Sequence, residues 1–102
     1  MELWERSEQL TSRLYGKKTI ASGSGSDKLD VKGKGIWSNW RVENKFTEKE
    51  SYVLSLNTLL KMSRQALQMM SSAFLVLDFG GKHRYVILEE DDFINLVTKD
   101  NE

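Results

Sequence analysis

The feature that most constrains this chain is a change of hydrophobic period near its middle. From Ile36 to Phe46, the apolar residues Trp40, Val42 and Phe46 alternate with Arg41, Glu43 and Lys45. That two-residue period predicts a strand with one apolar and one charged face. From Tyr52 to Met70 the period becomes helical, through Leu56, Leu59, Leu60, Met62, Ala66, Leu67 and Met70, a stripe broad enough to pack on a sheet. Ala73 to Phe79 is then a nearly continuous apolar run closed by Gly80 and Gly81, and Arg84 to Leu88 follows as a second, so two strands joined by a tight connection are expected. A helix crossing between two strands implies that those strands are parallel. A chain of 102 residues builds one such sheet, read as a single domain over residues 1–102.

The flanks complete this order. Glu2 to Tyr15 reads as a helix, with Leu3, Leu10 and Leu14 on one stripe widened by Trp4 and Tyr15, and Gly16 stops it. Thr19 to Ala21 is a short strand candidate, and Ser22 to Asp27 (SGSGSD) is too rich in Gly and Ser for regular structure. Leu29 to Val31 is another short strand, which the KGKG turn from Lys32 to Gly35 sends back into the long strand as an antiparallel hairpin. Asp91 to Val97 is a short closing helix with acids at its start. The expected class is α/β or α+β, with a central mixed sheet flanked by helices.

Composition removes several functions. The absence of cysteine and the single histidine, His83, exclude thiol chemistry and the usual zinc sites, and His83 reads as a turn or edge residue. No phosphate-binding Gly-x-x-x-x-Gly-Lys or nucleophilic serine motif is present, which disfavours ATP hydrolysis, acyl transfer and a nucleotide cofactor. Met62, Met69 and Met70 read as core filler. Without a signal-peptide core or a long apolar stretch, no membrane association and a cytoplasmic location are expected. The formal net charge is zero, yet residues 1–49 carry ten Lys/Arg against seven Asp/Glu and the remainder five against eight, about +3 and −3. The positive excess lies in Lys17, Lys18, Lys28, Lys32 and Lys34, so one basic face remains available to a polyanion.

Strand alternation sets Glu43 and Lys45 on one face about 7 Å apart. A hairpin partner carrying Asp30 adds a second carboxylate beside them. Such oxygen donors suit Mg²⁺, and metal-assisted phosphodiester cleavage needs them together with a cation that steadies the attacking water or the developing charge.

In Asp30 followed by Glu43-Asn44-Lys45, the chain resembles the PD-(D/E)xK nucleases, and most of all the small Holliday junction resolvases of archaea and bacteriophages. The likeness runs through SGSGSDKLDV, WRVENKFTEKESYVLSL, LLKMSRQAL, SAFLVLDFGG and RYVILEEDDF, nearly the whole chain. It implies a restriction-endonuclease-like core and a Mg²⁺-dependent endonuclease, with Mn²⁺ as a substitute ion, that cuts four-way DNA junctions as a homodimer. It further implies Asp30, Glu43 and the backbone carbonyl of Asn44 as metal ligands, Lys45 as a catalytic residue, and a Glu of the first helix as another ligand. Ser7-Glu8-Gln9-Leu10 is similar to the family's Ser-Glu-x-x-Leu with Leu one place early. Glu8 is preferred to Glu5 because a helical wheel sets Glu8 beside the apolar face. Two departures stand out: the family's Pro is absent, and the residue between Glu43 and Lys45, usually apolar, is Asn44.

Each piece also has a plainer reading. Glu-x-Lys occurs on ordinary solvated strands, and Asp30 has the character of a turn acid. The SGSGSDK segment is either a mobile surface loop or an approach of Ser24, Ser26 and Lys28 to phosphate. Lys61 and Gln65, one turn apart on the second helix, are either solvated or face DNA. Two alternatives remain beside the junction enzyme: a nuclease of the same fold acting on flaps, nicks or duplex, and a catalytically silent DNA-binding protein.

Overall fold

Local sequence chemistry accounts for where most elements begin and end. In the computed structural model, which describes residues 1–18 and 31–99, the order is α1 (Leu3–Tyr15), β1 (Gly16–Lys18), β2 (Val31–Gly33), a 3₁₀ turn (Gly35–Trp37), β3 (Trp40–Thr47), α2 (Leu56–Gln68), β4 (Ser72–Phe79), β5 (His83–Ile87) and α3 (Glu90–Lys99). A capping box opens α1, in which the Glu2 N–H donates to Glu5 Oε1 at 3.2 Å. Helix α2 starts at the Ser55 N-cap, whose hydroxyl accepts from the Thr58 N–H at 3.2 Å, later than the expected start at Tyr52. It ends before Met70, which sits at φ 55°. Gly80 and Gly81, at φ 67° and 80°, turn β4 tightly into β5.

The five strands form one mixed sheet in the order β1-β2-β3-β4-β5. β3 and β4 run parallel with α2 crossing between them, and the other neighbours are antiparallel. This is an α+β fold with the central mixed sheet that the alternation and crossover predict. Helix α1 covers one face, over Val31, Trp40, Val42, Phe74 and Val76; α2 covers the other through Met62 and Ala66, against Ala73, Leu75 and Leu77. β4 is buried on both faces from Ala73 to Asp78, which is why its sequence reads as a continuous apolar run. No helix among the described residues is long and apolar enough to cross a membrane.

Several local expectations are corrected. The long strand starts at Trp40, not Ile36. The 3₁₀ turn brings Trp37 onto the α1 face, where Tyr15, Trp37 and Trp40 all pack edge-on or tilted against Phe74 with ring centroids 4.9–5.6 Å away. Lys32 and Gly33 belong to β2 rather than to a turn, and β1 begins at Gly16, where only a helix stop was expected. Gly16 and Gly33 are opposite one another, and a Cβ on Gly33 would lie 1.7 Å from the Trp37 carbonyl oxygen, so backbone approach fixes glycine there. The expected strand at Thr19 to Ala21 and the SGSGSD segment lie outside the described residues. Met69 and Met70 are not core filler but exposed, as are Leu56 and Leu67, because only Leu59, Met62 and Ala66 of α2 reach the sheet. Of the expected α1 stripe, Leu3, Trp4 and Leu14 are also exposed while Leu10 and Tyr15 are half-buried, and the buried positions are Ser7 and Thr11.

Candidate functional site

Register turns the alternation of β3 into a site. Val42 is opposite Val31 on the buried α1 face, so Arg41, Glu43 and Lys45 project from the opposite face. There Lys45 Nζ lies 3.1 Å from Glu43 Oε1, both side chains partly buried, and their neighbours on β4 are the core residues Leu75 and Leu77.

Cations extend this face across the hairpin. Lys17 is opposite Lys32, and Lys32 is opposite Arg41, so three basic side chains form one row over β1, β2 and β3, two residues from Glu43. Lys17 and Lys32 are exposed. Like charges set directly opposite each other repel, and a bound anion relieves that cost. Along α2, residues 61, 65 and 69 recur on one stripe, and Met69 Sδ accepts from Arg41 Nε at 3.3 Å, which turns the Lys61 and Gln65 flank toward β3.

The opposite face explains Asn44. Its side chain is buried beneath α1, where Nδ2 donates to Ser7 Oγ at 2.9 Å and Oδ1 accepts from Thr11 Oγ1. Ser7 Oγ donates to Asp78 Oδ2 at 2.6 Å, Arg84 Nη1 reaches the same oxygen at 3.0 Å, and Arg84 Nη2 donates to Thr11 Oγ1 at 2.6 Å. The Gly81 N–H donates to Asp78 Oδ1 at 2.8 Å. Asn44 is therefore polar at a core position because α1 presents hydroxyls there. Sequence reading missed Ser7, Thr11, Asp78 and Arg84. Their signals were a lone acid inside the apolar run of β4, an arginine at the head of RYVIL, and hydroxyls four apart on α1.

Of the expected ligand side chains, only that of Glu43 lies in the described part of this face; the Asn44 carbonyl belongs to the backbone of the same strand. Asp30, Ser24, Ser26 and Lys28 lie outside the described residues, and the described ladder stops one residue short of Asp30, at Val31. Glu8 lines a shallow cleft along α1 with Trp4, Glu5, Gln9, Ser12, Arg13 and Gly16; neither Glu43 nor Lys45 lines it. Glu5 is engaged in the capping box. His83 begins β5 and is exposed. Among the described residues, no group of three or more acids, histidines or cysteines is arranged to hold a metal ion. Glu43 itself fits Mg²⁺ in kind, as a partly buried hard oxygen donor beside a cation-lined face. Comparison with protein-family models, curated proteins and solved structures returns no match for this chain.

Proposed function

We propose that this protein is a Mg²⁺-dependent DNA endonuclease of the PD-(D/E)xK type whose substrate is a four-way junction. One observation carries the reading: Glu43 and Lys45 share a face with the Lys17–Lys32–Arg41 row, so a carboxylate, its ammonium partner and a track of cations meet on one side of the sheet. Partly exposed ion pairs contribute only about 0–1 kcal/mol to stability, whereas apolar side chains beside Leu75 and Leu77 would enlarge the core. The pair is better explained by chemistry than by folding.

In this reading Asp30, Glu43 and the Asn44 carbonyl would hold the ion, or Mn²⁺ in its place; the resemblance adds Glu8, which lies on α1, the helix that covers the other face of the sheet. Bound Mg²⁺ supplies Lewis acidity and a water of lowered pKa. Lys45 orients the attacking water or offsets the charge that develops on the phosphoryl oxygens. Lys17, Lys32 and Arg41 hold the phosphate backbone without reading bases, which suits recognition by shape. Lys61 and Gln65 flank the same side, while Ser24, Ser26 and Lys28 approach phosphate from the glycine-rich segment.

The test is cleavage of a four-way junction beside linear duplex in Mg²⁺, with Asp30→Asn and Lys45→Ala as controls. Symmetric nicking of the junction, lost in both variants, is the expected result. Equal cutting of duplex selects a nuclease of other substrate, binding without cutting selects a silent DNA-binding protein, and cutting retained in both variants removes the site assignment.

A further inference from the structure

The sheet face that carries Glu43 and Lys45 continues beyond β4. Lys45 is opposite Leu77, which is opposite Tyr85 on β5, and the next row runs from Thr47 through Phe79 to His83. Residues opposite one another on neighbouring strands share a side of the sheet. Phe79, His83 and Tyr85 therefore emerge on the Glu43 side, at the carboxyl end of the parallel pair β3 and β4, where open sheets leave a crevice. They line a cleft of about 530 Å³ there, together with Glu48, Lys49 and Glu50, and its size suits a small ligand. Phe79 is half-buried against the α2 core cluster and meets Tyr85 edge-on, with ring centroids 6.3 Å apart. Tyr85 is thereby steadied from one side yet 58% exposed, and His83 is exposed beside it. A ring held in this way loses little freedom when a planar ligand stacks on it.

We propose that this cleft binds an unpaired nucleobase. Aromatic faces stack on a base whatever its identity. The carboxylates of Glu48 and Glu50 can accept hydrogen bonds from the exocyclic amino groups of cytosine, adenine or guanine. They also repel phosphate, which leaves the sugar-phosphate backbone to Lys49 at the rim and to the Lys17–Lys32–Arg41 row. Groups that take a base and groups that hold a backbone thus occupy one side of the sheet. A methylated ammonium also suits aromatic rings beside acids, but it has no use for the cations along the same face.

Two inter-strand spacings, about 10 Å, separate Lys45 from Tyr85 in the row they share. At roughly 3.4 Å per stacked nucleotide, this is about three nucleotides of one strand. A base seated in the cleft therefore lies close to the phosphodiester placed at Glu43 and Lys45. Continuous duplex yields such a base only by unpairing and unstacking it, whereas a branch point, where stacking is already interrupted, gives one up at less cost. The cleft makes that base a specificity element. This consequence for cleavage rests on the nuclease reading; base binding rests on the cleft itself.

Fluorescence anisotropy in EDTA, where Mg²⁺-dependent cutting is off, tests it with three labelled DNAs: a continuous duplex, the same duplex with a short bulge of unpaired cytosines, and that bulge made abasic. The wild-type chain is expected to bind the cytosine bulge at least about fivefold more tightly than the abasic one, the low end of what one stacked base contributes. Tyr85→Ala is expected to lose that preference while binding continuous duplex as before, and Tyr85→Phe to keep it. Equal wild-type affinity for the cytosine and abasic bulges overturns the proposal, and this comparison needs no variant to fold. Failure to bind any of the DNAs overturns it too, as does a Tyr85→Ala loss that is equal on all three. Tyr85-dependent binding of a trimethyl-lysine peptide, without preference for the cytosine bulge, overturns it in favour of a cation cage. Cleavage of the same DNAs in Mg²⁺ separates the two readings. A base preference without cutting removes the nuclease and keeps the cleft, whereas cutting with no difference between cytosine and abasic bulges, in binding or in rate, does the reverse.

Discussion

Asn44 carries two relationships at once: its neighbours Glu43 and Lys45 face the cation row, while its own side chain is held by Ser7 and Thr11 beneath α1. Replacing it with leucine, the kind of residue the PD-(D/E)xK pattern places there, leaves two buried hydroxyls short of partners. Asn44→Leu is therefore expected to lose about 1–3 kcal/mol in a urea titration despite its greater apolarity. Asp78→Ala is expected to cost more, about 3–5 kcal/mol, because Arg84 is left charged and largely buried. Lys45→Met should move the same transition little and abolish junction cleavage. If Lys45→Met instead unfolds the protein, the Glu43–Lys45 pair is structural.

At the scale of elements, the β1–β2 hairpin and α3 make separate predictions. Each lysine of the opposed pair Lys17 and Lys32 that contacts a phosphate contributes about 0.9 to the slope of log binding constant against log salt on duplex arms. Lys32→Ala should reduce that slope by about one and weaken binding to all sequences alike. In α3, burial and the neighbouring Glu89 raise Asp92 above the ordinary 3.8, despite its hydrogen bond with Ser72 and the helix N-terminus that favours its anion. The native state thus binds more protons than the unfolded chain between 3.8 and the raised value, so stability falls as pH rises through that window. Asp92→Asn is expected to raise the melting temperature at neutral pH, and its advantage should vanish below pH 3.8. An equal difference at both pH values would sink this explanation.

For the whole molecule, the sheet and its helices were legible because each core element repeats a period that only one geometry satisfies. Trp40 and Val42 alternate as strand residues must, and the apolar run of β4, short and closed by Gly80 and Gly81, has the length of a strand covered on both faces. The pairing of Glu43 with Lys45 followed from the same alternation. Less legible was which apolar stripe meets the core. Leu3 and Leu14 on α1 and Leu56 and Leu67 on α2 fit a helical period as well as Met62 and Ala66 do, yet they remain exposed. A period states that a helix has an apolar side; it does not state what lies opposite.

The change of period between β3 and α2 determined, from sequence alone, a strand, a crossing helix and a parallel strand, with Glu43 and Lys45 on one face. Local backbone geometry is enough for that, since side chains two apart on a strand share a face whatever surrounds them. Only tertiary structure decided that Lys17, Lys32 and Arg41 line up beside that pair, because inter-strand register is set by pairing between distant segments. It also decided that Ser7 and Thr11, rather than the leucines of α1, meet the sheet, because Asp78 and Arg84 needed partners in a place water does not reach.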